Sequence, residues 1–184
     1  MKKPLFLVAA ILFISACAHS TNSGQKDDTQ NRQANAFAET GTEAGRLISL
    51  TDAEKILGAP AHLSDSSVER KPGVVTCHLA YKANAKDVSG QKTGAVYFVF
   101  EEYSQLPSAE KKYSSIKTAN ANHEGIKVLD DLGDEAYYHS DGENFHFIMV
   151  RKGAKVFVMK VNKITSTTSL DEFYLVSKQI TKKL

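Results

Sequence analysis

Asn144-Phe-His-Phe-Ile-Met-Val-Arg-Lys-Gly-Ala-Lys-Val-Phe-Val-Met-Lys-Val161 decides the fold. Side chains alternate between the two faces of a strand. In the first arm Phe145, Phe147 and Met149 therefore project to one side, and Ile148 and Val150 to the other. In the second arm, entered by a turn at Lys152-Gly153 or Gly153-Ala154, Val156 and Val158 alternate with Phe157 and Met159. Both faces are apolar, whereas a sheet packed on one side carries polar residues on its other side. The expected fold is α+β, with helices covering both faces of the sheet. Short turns between neighbouring strands make that sheet mainly antiparallel.

Outward from this hairpin the pattern predicts about five strands. Glu135–Ser140 precedes it across Asp141-Gly142, the strongest short hairpin signal. Val74–Tyr81 and Gly94–Tyr103 are the other two, joined by the polar loop 82–93. Three helices are expected. Thr51 and Glu54 form a capping box for the first, which carries Leu50, Ala53, Ile56 and Leu57 and stops at Gly58 ahead of Pro60. Pro107 and Ser108 open the second, with Tyr113 and Ile116 on one side, running to about Asn122. Ser169 and Glu172 cap the third, whose buried residues are Leu170, Phe173, Ser177, Ile180 and Leu184. Lys178, Lys182 and Lys183 near its end suit the helix dipole. Each half reads as hairpin then helix.

The start of the chain is of another kind. Lys2 and Lys3 precede the apolar run Leu5–Ile14. That run is too short for a bilayer, which needs about 20 residues, and suits the core of a signal peptide. Ile14-Ser15-Ala16-Cys17 resembles the lipobox of bacterial lipoproteins. The resemblance implies that the Cys17 thiol takes a diacylglyceryl thioether, that cleavage follows Ala16, and that the new amine is acylated, typically with palmitate. Two or three chains anchor a protein stably, at ~0.8 kcal/mol per buried CH₂. Ala18, where an Asp would mark inner-membrane retention, favours the outer membrane in a Gram-negative cell. Residues 17–45 then contain Phe37 as their sole large apolar side chain, with a marginal helix at Ala34–Glu39. Such a stretch cannot offset its ordering entropy and reads as a tether of roughly 30 Å end to end. Three regions result: a signal peptide at 1–16, the lipidated cysteine and tether at 17–45, and a single α+β domain at 46–184.

Charge and cysteine use narrow the function. The chain has 23 Lys and Arg against 21 Asp and Glu. Loss of Lys2 and Lys3 with the signal peptide leaves the two balanced, so nothing electrostatic draws the domain to nucleic acid or to anionic lipid. Besides Cys17 the chain has only Cys77, so no internal disulfide is expected once Cys17 is lipidated. Cys77 and His78 are adjacent in a strand and point to opposite faces, which argues for a buried, inert thiol rather than a Cys/His nucleophile.

Leu132-Gly133-Asp134-Glu135-Ala136-Tyr137 ahead of the later strands, and Ile56-Leu57-Gly58-Ala59-Pro60 ahead of the strand with Cys77, resemble a group of bacterial lipoprotein domains. The group includes the PsbP-like superfamily and the extracellular sensor domain of certain serine/threonine kinases. It implies an antiparallel sheet flanked by helices over residues 47–184, and binding of partners or ligands. It carries over no catalytic residue.

Candidate chemistry concentrates in Tyr137-Tyr-His139-Ser-Asp141-Gly-Glu143-Asn-Phe-His146. With Asp141-Gly142 as a two-residue loop, His139 faces Asn144, and His146 is its diagonal neighbour on the same face, about 7–8 Å away. Two imidazoles would then converge toward a metal, with Tyr137 beside them; an ordinary polar hairpin end with surface histidines is the competing reading. Zinc wants a third or fourth ligand, and Glu143 projects from the other face. His62, His123 and Glu124 have no spacing that links them to anything. Glu101-Glu102-Tyr103 reads as a solvated strand end. The aromatic load, Tyr97 and Tyr137 in particular, serves the core or lines a ligand cleft between helix and sheet.

The expected function is a non-enzymatic, membrane-anchored protein-interaction or assembly module of the cell envelope, without a cofactor. The alternative is a small-ligand or metal-binding sensor domain, and a hydrolase ranks last because no acid/base or nucleophile set is visible.

Overall fold

The computed structural model describes residues 46–88 and 91–184. The expected signal peptide, Cys17, the tether and the Ala34–Glu39 helix lie outside the described residues. One antiparallel sheet of seven strands organises the domain, in the order β1-β2-β3-β7-β6-β5-β4. The elements run α1 (Leu50–Leu57), β1 (Ala61–Lys71), β2 (Val74–Ala83), β3 (Ala95–Tyr103), α2 (Leu106–Asn120), β4 (Ile126–Val128), β5 (Glu135–Ser140), β6 (Phe145–Lys152), β7 (Lys155–Asn162) and α3 (Leu170–Lys183). The first three strands meander outward to inward. After α2 the next four do the same from the opposite edge, so β7 ends beside β3 and closes the sheet.

Seven strands replace the expected five because one edge strand is mostly polar and the other is only three residues long. The β1 segment, Ala-His-Leu-Ser-Asp-Ser-Ser-Val-Glu-Arg-Lys, has too few apolar residues to declare itself. It pairs with β2 across the Pro72-Gly73 turn, with a register shift between Leu63 and Asp65. A bulge and a charged end suit an edge that must not recruit further strands. At the other edge β4 has three residues, paired to Tyr137, Tyr138 and His139.

Strand register sorts the core into two layers. Cys77, Leu79, Tyr81, Val96, Phe98, Phe100, Ile148, Val150, Phe157, Met159 and Val161 share one face. Ala53, Ile56 and Leu57 of α1 and Phe173, Val176 and Ile180 of α3 cover it. On the other face Tyr137, Met149 and Val156 meet Ala109 and Tyr113 of α2. The expectation that helices cover both faces holds for the first layer and only in part for the second. There α2 packs over β3, β6 and β7, and the β1–β2 side of that face stays open. Ser67 and His78, paired across β1 and β2, are exposed on it, which accounts for the polar character of those strands.

Helix ends correct the capping expectations. Ser49 and Asp52 form the capping box of α1, rather than Thr51 and Glu54: Asp52 N–H donates to Ser49 Oγ at 3.1 Å and Ser49 N–H to Asp52 Oδ2 at 2.9 Å. Glu54 turns instead to the entry of β1, where Oε1 accepts from Ala61 N–H at 3.1 Å. Gly58 caps the end at φ 62°, a left-handed conformation that disfavours a Cβ. Ser169 caps α3 by accepting from Glu172 N–H at 3.2 Å. Leu170, expected in the core, is 44% exposed, because it sits in the first turn on the solvent side. The second helix ends at Asn120, two residues short of expectation. No helix among the described residues is long and apolar enough to cross a membrane.

Candidate functional site

The β5–β6 hairpin sets the site. Asp141-Gly142 is not a two-residue turn. Five residues, Asp141 to Phe145, separate Ser140 from its ladder partner His146. Asp141 causes this: Oδ1 accepts from the backbone N–H of Glu143 (3.1 Å), Asn144 (2.7 Å) and Phe145 (3.2 Å), and Oδ2 accepts from the Asn144 side chain at 2.8 Å. These bonds stabilise the ionised form and hold the Asp141 carboxyl far below its usual range.

The longer loop overturns the expected histidine pair. His139 faces Phe147 instead of Asn144, a shift of three positions. An odd shift moves every β6 side chain to the opposite face. His146 therefore lies under α3 while His139 lies on the α2 side. His146 Nδ1 is 2.7 Å from Tyr138 Oη and 3.2 Å from Ser140 Oγ, and the His146 ring lies tilted against Phe173 with centroids 6.2 Å apart. Burial pushes the His146 pKa down, against a smaller opposing pull from Asp141. His139 and His146 cannot share a metal ion across the sheet.

The structure brings His139 to a different partner. After α2 ends, the 121–125 turn carries His123 over the hairpin, and the two imidazole centroids stand 5.5 Å apart. Nothing in the sequence marked this contact, which depends on where α2 stops and on the β4–β5 pairing. On its other side His139 meets the Phe145 ring edge-on at 5.0 Å. Lys160 from β7 places its ammonium 4.9 Å above the same Phe145 ring. Together with Asn120, Glu124 and Phe147 these groups line an open depression of about 1000 Å³ at one end of the sheet.

The other sequence candidates fall outside this depression or beneath it. Tyr137, proposed for a ligand cleft, is fully buried: its ring packs on Tyr113 at 5.9 Å and Phe147 at 5.6 Å, and Asn120 donates to its hydroxyl at 3.4 Å. It serves the core because α2 lies directly on it. Tyr97 is 44% exposed on the same face, paired in register with Lys160. Glu101 is no solvated strand end. It accepts from the Tyr103 hydroxyl at 3.0 Å and bridges to Lys112 of α2 at 3.1 Å, fastening that helix to the sheet. Cys77 is buried and its thiol pKa is raised by desolvation, while neighbouring His78 is exposed. His62 lies in β1 and bonds Asn84 through Nδ1 at 2.7 Å. Among the described residues no group of three or more His, Cys, Asp or Glu is placed to hold a metal ion.

Comparison with protein-family models, with curated proteins and with solved structures finds no match to this chain.

Proposed function

We propose that this chain is a lipid-anchored, non-enzymatic module of a bacterial cell envelope. Its domain recognises an envelope protein through the depression around His123, His139, Phe145 and Lys160 and through the open sheet face beside it. One observation supports the reading above the others: the depression is wide and open, lined by rings, amides, two carboxylates and one ammonium from α2 and the turn after it, β5, β6 and β7. Mixed apolar and polar linings of this kind suit recognition of a protruding side chain or short segment. The volume also reaches the range of small-ligand sites, about 300–1,000 Å³, which keeps a ligand-sensor role as the second reading.

A binding role is further supported by how the reactive groups are used. His146 is held by Tyr138 and Ser140, Asp141 by its own loop, and Cys77 by the core. The lipid anchor rests on Ile14-Ser15-Ala16-Cys17, and placement in the outer membrane on Ala18. Kinship with PsbP-like and kinase sensor-domain lipoproteins belongs to the same proposal.

Two measurements test it. A Cys17→Ser chain should take up no clickable fatty acid and should leave the membrane pellet; continued labelling would remove the anchor. For recognition, a photo-crosslinking amino acid is placed at Asn122, at Lys160, or at Gln179, an exposed position on α3. Adducts to one protein from the first two positions and none from the third support the reading. Equal yields from all three positions would sink it. Absence of any protein adduct, together with a small molecule bound in native mass spectrometry, would favour the ligand-sensor role.

A further inference from the structure

We infer that His123 and His139 form an open binding site for a divalent d-block cation such as zinc or copper. Metal–nitrogen bonds to imidazole are about 2.0–2.1 Å, and tetrahedral ligation by two imidazoles sets their ring centroids roughly 5 Å apart. The observed separation is 5.5 Å, with the planes inclined by 32°. Imidazole is the ligand that zinc, copper and nickel favour, and it excludes magnesium and calcium as natural occupants.

The surroundings define what kind of site this is. His139 is fixed on β5 and braced by the Phe145 ring at 5.0 Å. His123 is exposed on the turn after α2, so it can adjust to the ion. Asp141 faces the same depression, but both of its oxygens are engaged by the hairpin loop. Glu124 is also at the rim, and the ammonium of Lys160 is drawn over Phe145. Two side-chain ligands leave the remaining coordination positions to water or to an incoming donor. The site is thus of the open type rather than a closed structural zinc centre. A metal ion binds imidazole in its neutral form, so protons compete with the ion for the site. The inference stands independently of the partner-recognition reading.

The test is a calorimetric titration of the full chain in detergent with zinc chloride and, separately, with copper sulfate. The variants are His123→Ala, His139→Ala and, as a control, His62→Ala. Loss of a group that merely supports a ligand already weakens a metal site about 10–100-fold, so removal of either ligand should weaken binding at least ~10-fold. His62→Ala should bind as the parent does. Copper should broaden the NMR signals of His123, His139 and Phe145 selectively. If His139→Ala fails to fold, His123→Ala decides alone, since that side chain is exposed on a turn outside the core. Undiminished affinity in His123→Ala, or an equal loss in His62→Ala, would overturn the inference.

Discussion

Arg151 and Glu135 stand opposite each other in the β5–β6 ladder, with Arg151 Nε 2.6 Å from Glu135 Oε2. The same guanidinium reaches Asp134 Oδ2 at 2.9 Å and the Gly153 carbonyl at 3.2 Å. It is 8% exposed, so its charge is compensated inside the protein rather than by water. This arrangement gives Leu132-Gly133-Asp134-Glu135-Ala136-Tyr137 its physical meaning: two acids in succession clamp a buried arginine at the base of the hairpin. Removing both acids, in Asp134→Ala with Glu135→Ala, strands a buried cation and should cost about 3 kcal/mol or more. Arg151→Met, which removes the charge and keeps the stem, should cost less. Urea unfolding of the three chains checks the order; a larger loss in Arg151→Met would refute this account of the clamp.

Gly133 sits one residue before the clamp at φ 60°. A Cβ there would collide with the carbonyl oxygen of Arg151 and with the Val150 side chain. Gly133→Ala should therefore destabilise the domain by about 2 kcal/mol or more, combining an unfavourable backbone conformation with a backbone clash. The urea midpoint should fall, and a midpoint within experimental error of the parent would be the contrary result.

His146 makes stability depend on pH. Its folded pKa lies below the unfolded value, because burial disfavours the charged ring. The unfolded chain then binds the extra proton first. The contribution is fully present above about pH 6.5, the ordinary imidazole value, and is lost as pH falls from there through the folded pKa. Asp141, whose pKa is lowered, stays ionised in both states across pH 7 to 5 and adds nothing to that slope. Thermal midpoints at pH 7 and pH 5 should converge in His146→Gln relative to the parent. An unchanged pH difference would show that the slope has another origin.

Cys77 should be silent to thiol reagents. It is 1% exposed, and desolvation raises its pKa and so depletes the reactive thiolate. In a Cys17→Ser chain, maleimide should add nothing to the native protein within the time that labels the urea-unfolded protein completely. Rapid native labelling would mean that β2 opens readily or that the thiol is not in the core.

How much of this was legible in the chain follows from which forces act locally. Phe145–Val150 and Val156–Met159 announced a sheet apolar on both faces, and Ser169 and Gly58 announced helix ends, because alternation and capping are properties of a few neighbouring residues. Ala61–Lys71 gave no such sign. Its strand exists because β2 offers a ladder of backbone partners, and an edge strand needs few apolar residues to accept them.

The candidate site shows the same division more sharply. The sequence by itself singled out the 137–146 segment as rich in chemistry and placed Cys77 and His78 on opposite faces. The tertiary structure alone decided which groups meet. Asp141 captures three successive backbone N–H groups and lengthens the loop, and that sends His146 beneath α3. The end of α2 and the pairing of β4 then bring His123 to His139. Periodicity records which face a residue prefers, whereas strand register and helix termination are settled by competition among hydrogen bonds distant in sequence, and those leave no local pattern.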